Sequence, residues 1–271
     1  MLTLFTDVKP IHKNFWESHM TVAAASAPSV PRRDRMRAQT MQEIKTAARH
    51  ELVAHGPSGI QLRAVAREVG LTAPALYRYF PSLEDLVEAV TVDLYGELCD
   101  VLEEARDAAT TADPFAQILE ISRAFRRWAM SHPHEFALMF ATPPTALGQA
   151  PSNACEEASG RFGNLFAQAF LQMWEVAPFE VPAGDALVPG IEAGLLPYWT
   201  WLTDTLSPGM PIGAVVRFLE GWVRIYGSVA METFGHLNWA MPDGEPMFEQ
   251  IMLSLAQSVG HADRYRPPLP Q

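Results

Sequence analysis

The stretch from Gln61 to Ser82, QLRAVAREVGLTAPALYRYFPS, leaves little choice of local structure. Leu62, Val65, Ala66 and Val69 fall at i, i+3, i+4 and i+7, the apolar face of a short helix. Gly70 supplies the residue that takes a left-handed conformation and ends that helix. Thr72 suits an N-cap, and Pro74 falls in the first turn of the next helix, where a missing N–H breaks no bond. This second helix is expected to bury Leu76 and Phe80 and to turn Ala73, Pro74, Ala75, Tyr77, Arg78 and Tyr79 outward. Two helices joined by a few residues that include Gly form a helix-turn-helix, whose second helix fits the major groove of DNA. Many helical hairpins bind nothing, so the neighbouring sequence has to decide.

Those neighbours favour nucleic acid. The 271-residue chain has a formal net charge of −11, which by itself argues against an anionic partner. The distribution reverses this. Residues 32–81 hold nine Lys or Arg against four acids, a net of +5, whereas residues 91–271 hold nine against twenty-two, a net of −13. A basic module on an acidic body is the electrostatic footprint of a DNA-binding domain. Arg32, Arg33, Arg35 and Arg37 stand just before the hairpin. A charge run is commonly a solvated face, but at this place it can reach phosphates or the minor groove.

Taken in order, the chain opens with residues 1–31, which keep no sustained period, end in TVAAASAPSVP and read as a disordered arm. A first helix is expected from about Ala38 to His55, stopped by Gly56-Pro57, completing a three-helix domain over residues 32–86. Ser82, with Asp85 in capping-box position, opens a helix of about twenty residues bearing Leu86, Val90, Leu94, Leu98 and Leu102. Residues 87–261 then read as a larger helical domain. It includes a helix from Pro114 to about Ser131, a short one after His132-Pro133, and one bearing Phe162 to Met173. A Pro- and Gly-rich connection spans Thr142 to Ser152. Further helices run from Leu195 to Leu206, where Pro197 predicts a kink or a late start, from Pro211 to His236, and from Glu245 to Val259. Residues 262–271 form a Pro-rich tail. The fold class is all-α, with nine to ten helices.

Two segments carry a family resemblance. LRAVAREVGLT followed by ALYRYFPSLEDL, within Arg37 to Leu86, resembles the N-terminal DNA-binding domain of the TetR family of transcriptional regulators. In the second half, FRRWAMSHPHEFALMFATP and GWVRIYGSVAMETFGHL resemble one C-terminal subgroup of that family, with Tyr226 in place of a His that usually precedes Gly227. Gln61 stands where the family usually has a capping Ser or Thr, and Leu83 where it usually has a phosphate-touching lysine. The resemblance implies a reading head on double-stranded operator DNA formed by Gln61, Arg63, Thr72, Ala73, Pro74, Ala75, Tyr77, Arg78 and Tyr79, with the Arg32–Arg37 cluster adding phosphate affinity. It also implies a pocket for a small-molecule effector in the second domain.

Apolar helix stripes are more often core than binding site, but Trp128, Phe136, Met139, Phe140, Phe162, Phe166, Phe170, Trp174 and Trp199 exceed what closing a small bundle needs. They are the expected pocket. Glycines among bulky residues in the last two helices fit either intrachain packing or a dimer interface. The resemblance implies a homodimer through a four-helix bundle, which makes Gly213, Val216, Gly221, Ile225, Met252 and Leu255 the expected contacts.

Catalysis finds no support. The chain has no Gly-rich phosphate loop, nucleophile elbow or helical HExxH, and His132, His134 and Glu135 at a proline corner make a poor metal site. No cofactor or metal is expected, and Cys99 and Cys155 read as packing residues. No run of eighteen apolar residues or export signal is present, so a cytoplasmic protein is expected. The sequence thus reads as a non-enzymatic regulator, most simply a ligand-responsive repressor. The alternative is a helical ligand carrier with a vestigial DNA-binding module.

Overall fold

A computed structural model describes residues 31–109, 113–141, 152–205 and 207–268. The expected arm before Pro31, the connection at 142–151, Leu206 and the last three residues of the expected tail lie outside the described residues. Among the described residues the chain forms ten α-helices and no strand. They are α1 (Arg32–His55), α2 (Leu62–Glu68), α3 (Ala73–Leu76), α4 (Leu83–Ala108), α5 (Pro114–Ser131), α6 (Pro133–Phe136), α7 (Asn153–Val176), α8 (Ile191–Thr205), α9 (Ile212–Thr233) and α10 (Glu245–Ser258). No helix among these is long and apolar enough to cross a membrane.

Two compact units divide the described residues. One holds residues 31–99 and 132–162, the other residues 100–131 and 163–268. The boundary drawn by packing falls inside α4 and α7.

In the first unit Ile44, Ala48 and Leu52 of α1, Val65 and Ala66 of α2, and Leu86, Val90 and Leu94 of α4 are all buried. The i, i+4 spacing of these residues in α1 and α4 puts them on one face of each helix. Helix α1 starts six residues earlier than the sequence suggests, at Arg32, because RRDRMR contains good helix formers and nothing that breaks a helix. The four arginines are thus helical rather than part of an arm. Arg49 fastens α1 to two other helices. Its guanidinium donates to both Glu97 carboxylate oxygens of α4 at 2.6 and 3.2 Å, and to Glu135 of α6 at 3.2 Å.

The second unit is held by two buried arginines on α5. Arg123 donates to both Glu249 oxygens of α10 at 2.8 Å, to Glu120 at 2.8 Å and to the Arg266 carbonyl at 2.6 Å. Arg126 donates to both Glu232 oxygens of α9 at 2.7 and 2.6 Å, and to Glu245 of α10 at 3.2 Å. Helix α8 begins at Ile191 and carries Pro197 in its interior, so of the kink or late start that Pro197 predicts, the late start does not occur. Gly213 is required for close approach: a Cβ there would run into the carbonyl oxygen of Pro182.

Removing one partner of a buried ion pair strands the other, at a cost of about 3–5 kcal/mol. Glu249, 12 % exposed and bound to Arg123 and Tyr265, is such a partner. Burial pushes its carboxyl up, but the hydrogen bonds from Arg123 and Tyr265 outweigh that and hold it below its ordinary value. A depressed carboxyl stabilises the fold above its unfolded pKa of about 4.3 and loses that contribution as pH falls through the folded value. Glu249→Gln is therefore expected to destabilise the protein by roughly 3 kcal/mol at neutral pH. The difference from wild type should shrink below about pH 4. Urea unfolding at several pH values measures both.

Candidate functional site

The exposed face of the first unit is built on a helix too short to stand alone. Helix α2 ends at Gly70, whose φ of 68° only glycine adopts cheaply, with the Leu71 N–H closing on the Ala66 carbonyl at 2.8 Å. Thr72 caps α3 by accepting from the Ala75 N–H at 3.3 Å. After Leu76 the chain keeps turning: Tyr79 N–H bonds the Leu76 carbonyl at 2.8 Å and Phe80 N–H bonds it at 3.1 Å. Leu76 and Phe80 are buried, as their spacing suggests, and Tyr77 and Arg78 between them are exposed, Tyr77 by 49 %. Ser82 then caps α4, accepting from the Asp85 N–H at 3.0 Å and donating to the Asp85 carboxylate at 2.7 Å.

Not all of the expected reading residues are equally available. Thr72 and Pro74 are exposed, and Ala73 and Ala75 half-buried. Tyr79 is half-buried beneath the Arg37 guanidinium, 5.1 Å from its ring centroid, and Arg37 Nη2 donates to the Arg78 carbonyl at 3.2 Å. This pair ties α1 to the end of the α3 turn through a cation–π contact. Arg32, Arg33, Arg35 and Arg63 are exposed. Arg67, which the sequence reading passed over, lies one turn beyond Arg63 on the same face of α2 and is exposed too. Gln61 stands at the N-cap of α2 with no side-chain hydrogen bond, and Leu83, the first residue of α4, is half-buried.

The aromatic residues expected to form one pocket divide into several groups. Phe136, Phe140 and Phe162 pack on each other and on Tyr95 in the first unit, with centroids 4.9–6.1 Å apart, and Met139 is buried there too. Trp128 is buried in the second unit. Trp174 meets Phe179 edge-on at 5.1 Å, and Trp199 Nε1 donates to the Met210 carbonyl at 2.8 Å. Phe166 and Phe170 line a cavity of about 70 Å³ bounded by α5, α7, α9 and α10. A single water needs about 10–15 Å³, so this is room for a small organic molecule. Phe115, Arg217, Phe218 and Trp222 also line it. Of these, Arg217 left a trace in the sequence: it interrupts the apolar run Ile212 to Leu219.

Four of the six expected dimer contacts, Gly221, Ile225, Met252 and Leu255, line this same cavity. Gly213 and Val216 are buried within the chain, as are Ile225 and Met252. Their small or apolar character is accounted for by intrachain packing. The large apolar side chains that α9 and α10 do leave exposed are Val223, Met231 and Met247. Tyr226, where the resemblance implies a His, continues a stack: it lies 5.8 Å from Trp222, which lies 6.3 Å from Phe125.

The corner residues serve packing. His134 Nδ1 donates to the Val53 carbonyl at 2.7 Å, Glu135 accepts from Arg49, and no group of three His, Cys, Asp or Glu among the described residues could hold a metal. Cys99 is buried, and burial with Glu88 and Glu156 nearby pushes the Cys155 thiol up, away from a reactive thiolate.

Comparison with known proteins agrees with this geometry. The family model for bacterial regulatory proteins of the tetR family matches residues 44–90, and that for the tetracyclin repressor-like C-terminal domain matches residues 118–255. HTH-type transcriptional regulators of Mycobacterium bovis and Mycobacterium tuberculosis are 29% identical over 221 residues, covering 75% of this chain and 84% of theirs. Among solved structures, the regulatory protein SCO4313 is similar with a TM-score of 0.62 at 26% identity, over 84% of this chain and 100% of that one. RolR in complex with resorcinol shares the fold, with a TM-score of 0.52 at 14% identity, over 88% of this chain and 98% of its own.

The uncapped start of α2 gives a direct test of this local reading. Gln61→Thr places a hydroxyl where the orphan N–H groups of α2 need one, and should stabilise the fold by about 0.5–1 kcal/mol in urea unfolding.

Proposed function

The chain belongs to the TetR family of bacterial regulatory proteins, and we propose that it acts as a homodimeric repressor, released from a palindromic operator by a small apolar or aromatic effector. The observation that carries this reading is the exposure of Tyr77 and Arg78 between the buried anchors Leu76 and Phe80. A guanidinium there can bond guanine O6 and N7, a phenol can bond base edges, and the small residues Thr72 to Ala75 can meet thymine methyls. Arg32, Arg33, Arg35 and Arg63 would hold phosphates and fix the register without reading sequence.

One such short helix reads too few bases for specificity, which supports a two-fold dimer with its two heads about 34–36 Å apart, or a multiple of that. Exposed Val223, Met231 and Met247 on α9 and α10 support an interface there better than the cavity-lining Ile225 and Met252. The cavity supports a site for the effector. Helix α4 has its first residues in the core of one unit and its last in the other, so a ligand that shifts α4 can alter the reading heads. Coupling of this kind is reciprocal: whatever the effector does to operator affinity, the operator does to effector affinity.

Mapping the genomic sites that the protein occupies would supply an operator for gel-shift measurements. Tyr77→Ala and Arg78→Ala are each expected to weaken operator binding by about 1–3 kcal/mol and to leave the dimer intact in size-exclusion chromatography. Unchanged gel shifts would sink the reading. Leu83→Lys is expected to strengthen binding and to steepen the dependence of log K on log salt by about one.

A further inference from the structure

The turn that carries Tyr77 and Arg78 ends without a helix to hold it. Tyr77 still has helical angles, with φ −59° and ψ −16°, and the Tyr79 and Phe80 N–H groups both close on the Leu76 carbonyl. The Arg78 carbonyl, further along the turn, is bonded by no backbone N–H of the described residues. Its donor comes from another helix: Arg37 Nη2 of α1, 3.2 Å away and 41 residues earlier in the sequence. The same guanidinium lies over the Tyr79 ring, 5.1 Å from its centroid. Arg37 thus grips two consecutive residues of the turn, the backbone of one and the side chain of the next.

We propose that Arg37 is a positioning residue for operator recognition, which sets the sequence preference of Arg78 by fixing the peptide that follows it and acts on specificity more than on phosphate affinity. The proposal rests on reading α3 and the turn after it as the head that reads DNA. Leu76 and Phe80, both buried, pin that turn on its inner side. On its outer side the direction of Arg78 depends on how the Arg78–Tyr79 peptide is turned, because a planar peptide fixes the carbonyl and both flanking Cα atoms together. A base edge accepts a guanidinium in a narrow geometry, bidentate to guanine O6 and N7, so a swing of the peptide costs base contacts first. Phosphate contacts tolerate such a swing, since they carry charge and no sequence information. The double contact also selects arginine. A planar fork can sit over a ring face and donate along its edge at once, whereas an ammonium is a point charge on a flexible stem. On a phosphate, lysine is an accepted substitute as a point charge. The two roles therefore part company at the conservative change.

The test is gel-shift titration of the full chain on two duplexes of equal length, one from the most occupied genomic site and one with the same bases scrambled. Arg37→Lys is expected to weaken binding to the first by about fivefold or more and to leave binding to the second as in wild type. Tyr79→Leu, which removes the ring and keeps Arg37, should lower the same preference. In a double-mutant cycle, Arg37→Lys should cost less than about twofold once Arg78 is already alanine, since no base contact is then left to misplace. Wild-type operator binding by Arg37→Lys, equal weakening on both duplexes (which a damaged fold would also give), or losses that add in the cycle would overturn the proposal. Arg37→Met tests the phosphate role directly: a salt slope on the scrambled duplex that is shallower by about one assigns Arg37 to a phosphate and overturns the proposal, and an unchanged slope supports it. Weak operator binding by Arg78→Ala with none of the Arg37 effects removes the proposal and leaves the regulator reading standing. No effect of Arg78→Ala removes both.

Discussion

A helix of four residues cannot sustain itself. Fixing the first turn costs more than its single hydrogen bond returns, and isolated helices are marginal even at three or four times that length. The conformation of α3 is therefore imposed from outside. Leu76 and Phe80 are buried on either side of the exposed pair, Thr72 satisfies an N–H at the start, and Arg37 holds the carbonyl of Arg78 at the end. The exposure of Tyr77 and Arg78 follows from the burial of their neighbours. Arg37 illustrates the economy of the arrangement. Set over the Tyr79 ring, it contributes to the rigidity of the turn that presents Arg78. Positions 73 to 75, two alanines and a proline, keep the leading edge of the helix slim.

The second unit is organised by two buried arginines. Arg123 and Arg126 lie three residues apart on α5, and apart from the neighbouring Glu120 the carboxylates they hydrogen-bond come from α9 and α10, more than a hundred residues later. Such pairs add modest net stability, since desolvation cancels much of their attraction, but they are strict about geometry. Here they fix α5 against α9 and α10, the walls of the cavity. A cavity with rigid walls is pre-organised, so a ligand entering it gives up little free energy to order its site.

What could be read from the sequence was what is local. The period of α2, the left-handed Gly70, the Thr72 and Ser82 caps and the burial of Leu76 and Phe80 are all decided within a few residues of each other, and all appear as expected. The start of α1 was misjudged because a run of arginines resembles a tail in composition while having good helix propensity. Nonlocal choices were illegible. Gly221, Ile225, Met252 and Leu255 have the size and spacing for a helix–helix seam, and nothing in periodicity says whether the partner helix belongs to the same chain or to another. The aromatic residues posed the same difficulty. Phe140 and Phe162 close on Tyr95, while Phe166, one turn beyond Phe162 on the same helix, lines the cavity. Residue type cannot separate them, because the division between packing units passes through that turn.

Charge distribution sets a last constraint on where such a molecule can meet an anion. Residues 91–271 carry a net −13 and residues 32–81 a net +5, so the long-range field favours DNA at the N-terminal helices and disfavours any anion elsewhere. That field is screened over about 8 Å at physiological ionic strength. It can steer the approach of a polyanion, but holding one would fall to side chains at the surface itself, of which Arg32, Arg33, Arg35 and Arg63 are exposed, and contacts of that kind weaken steeply as salt rises.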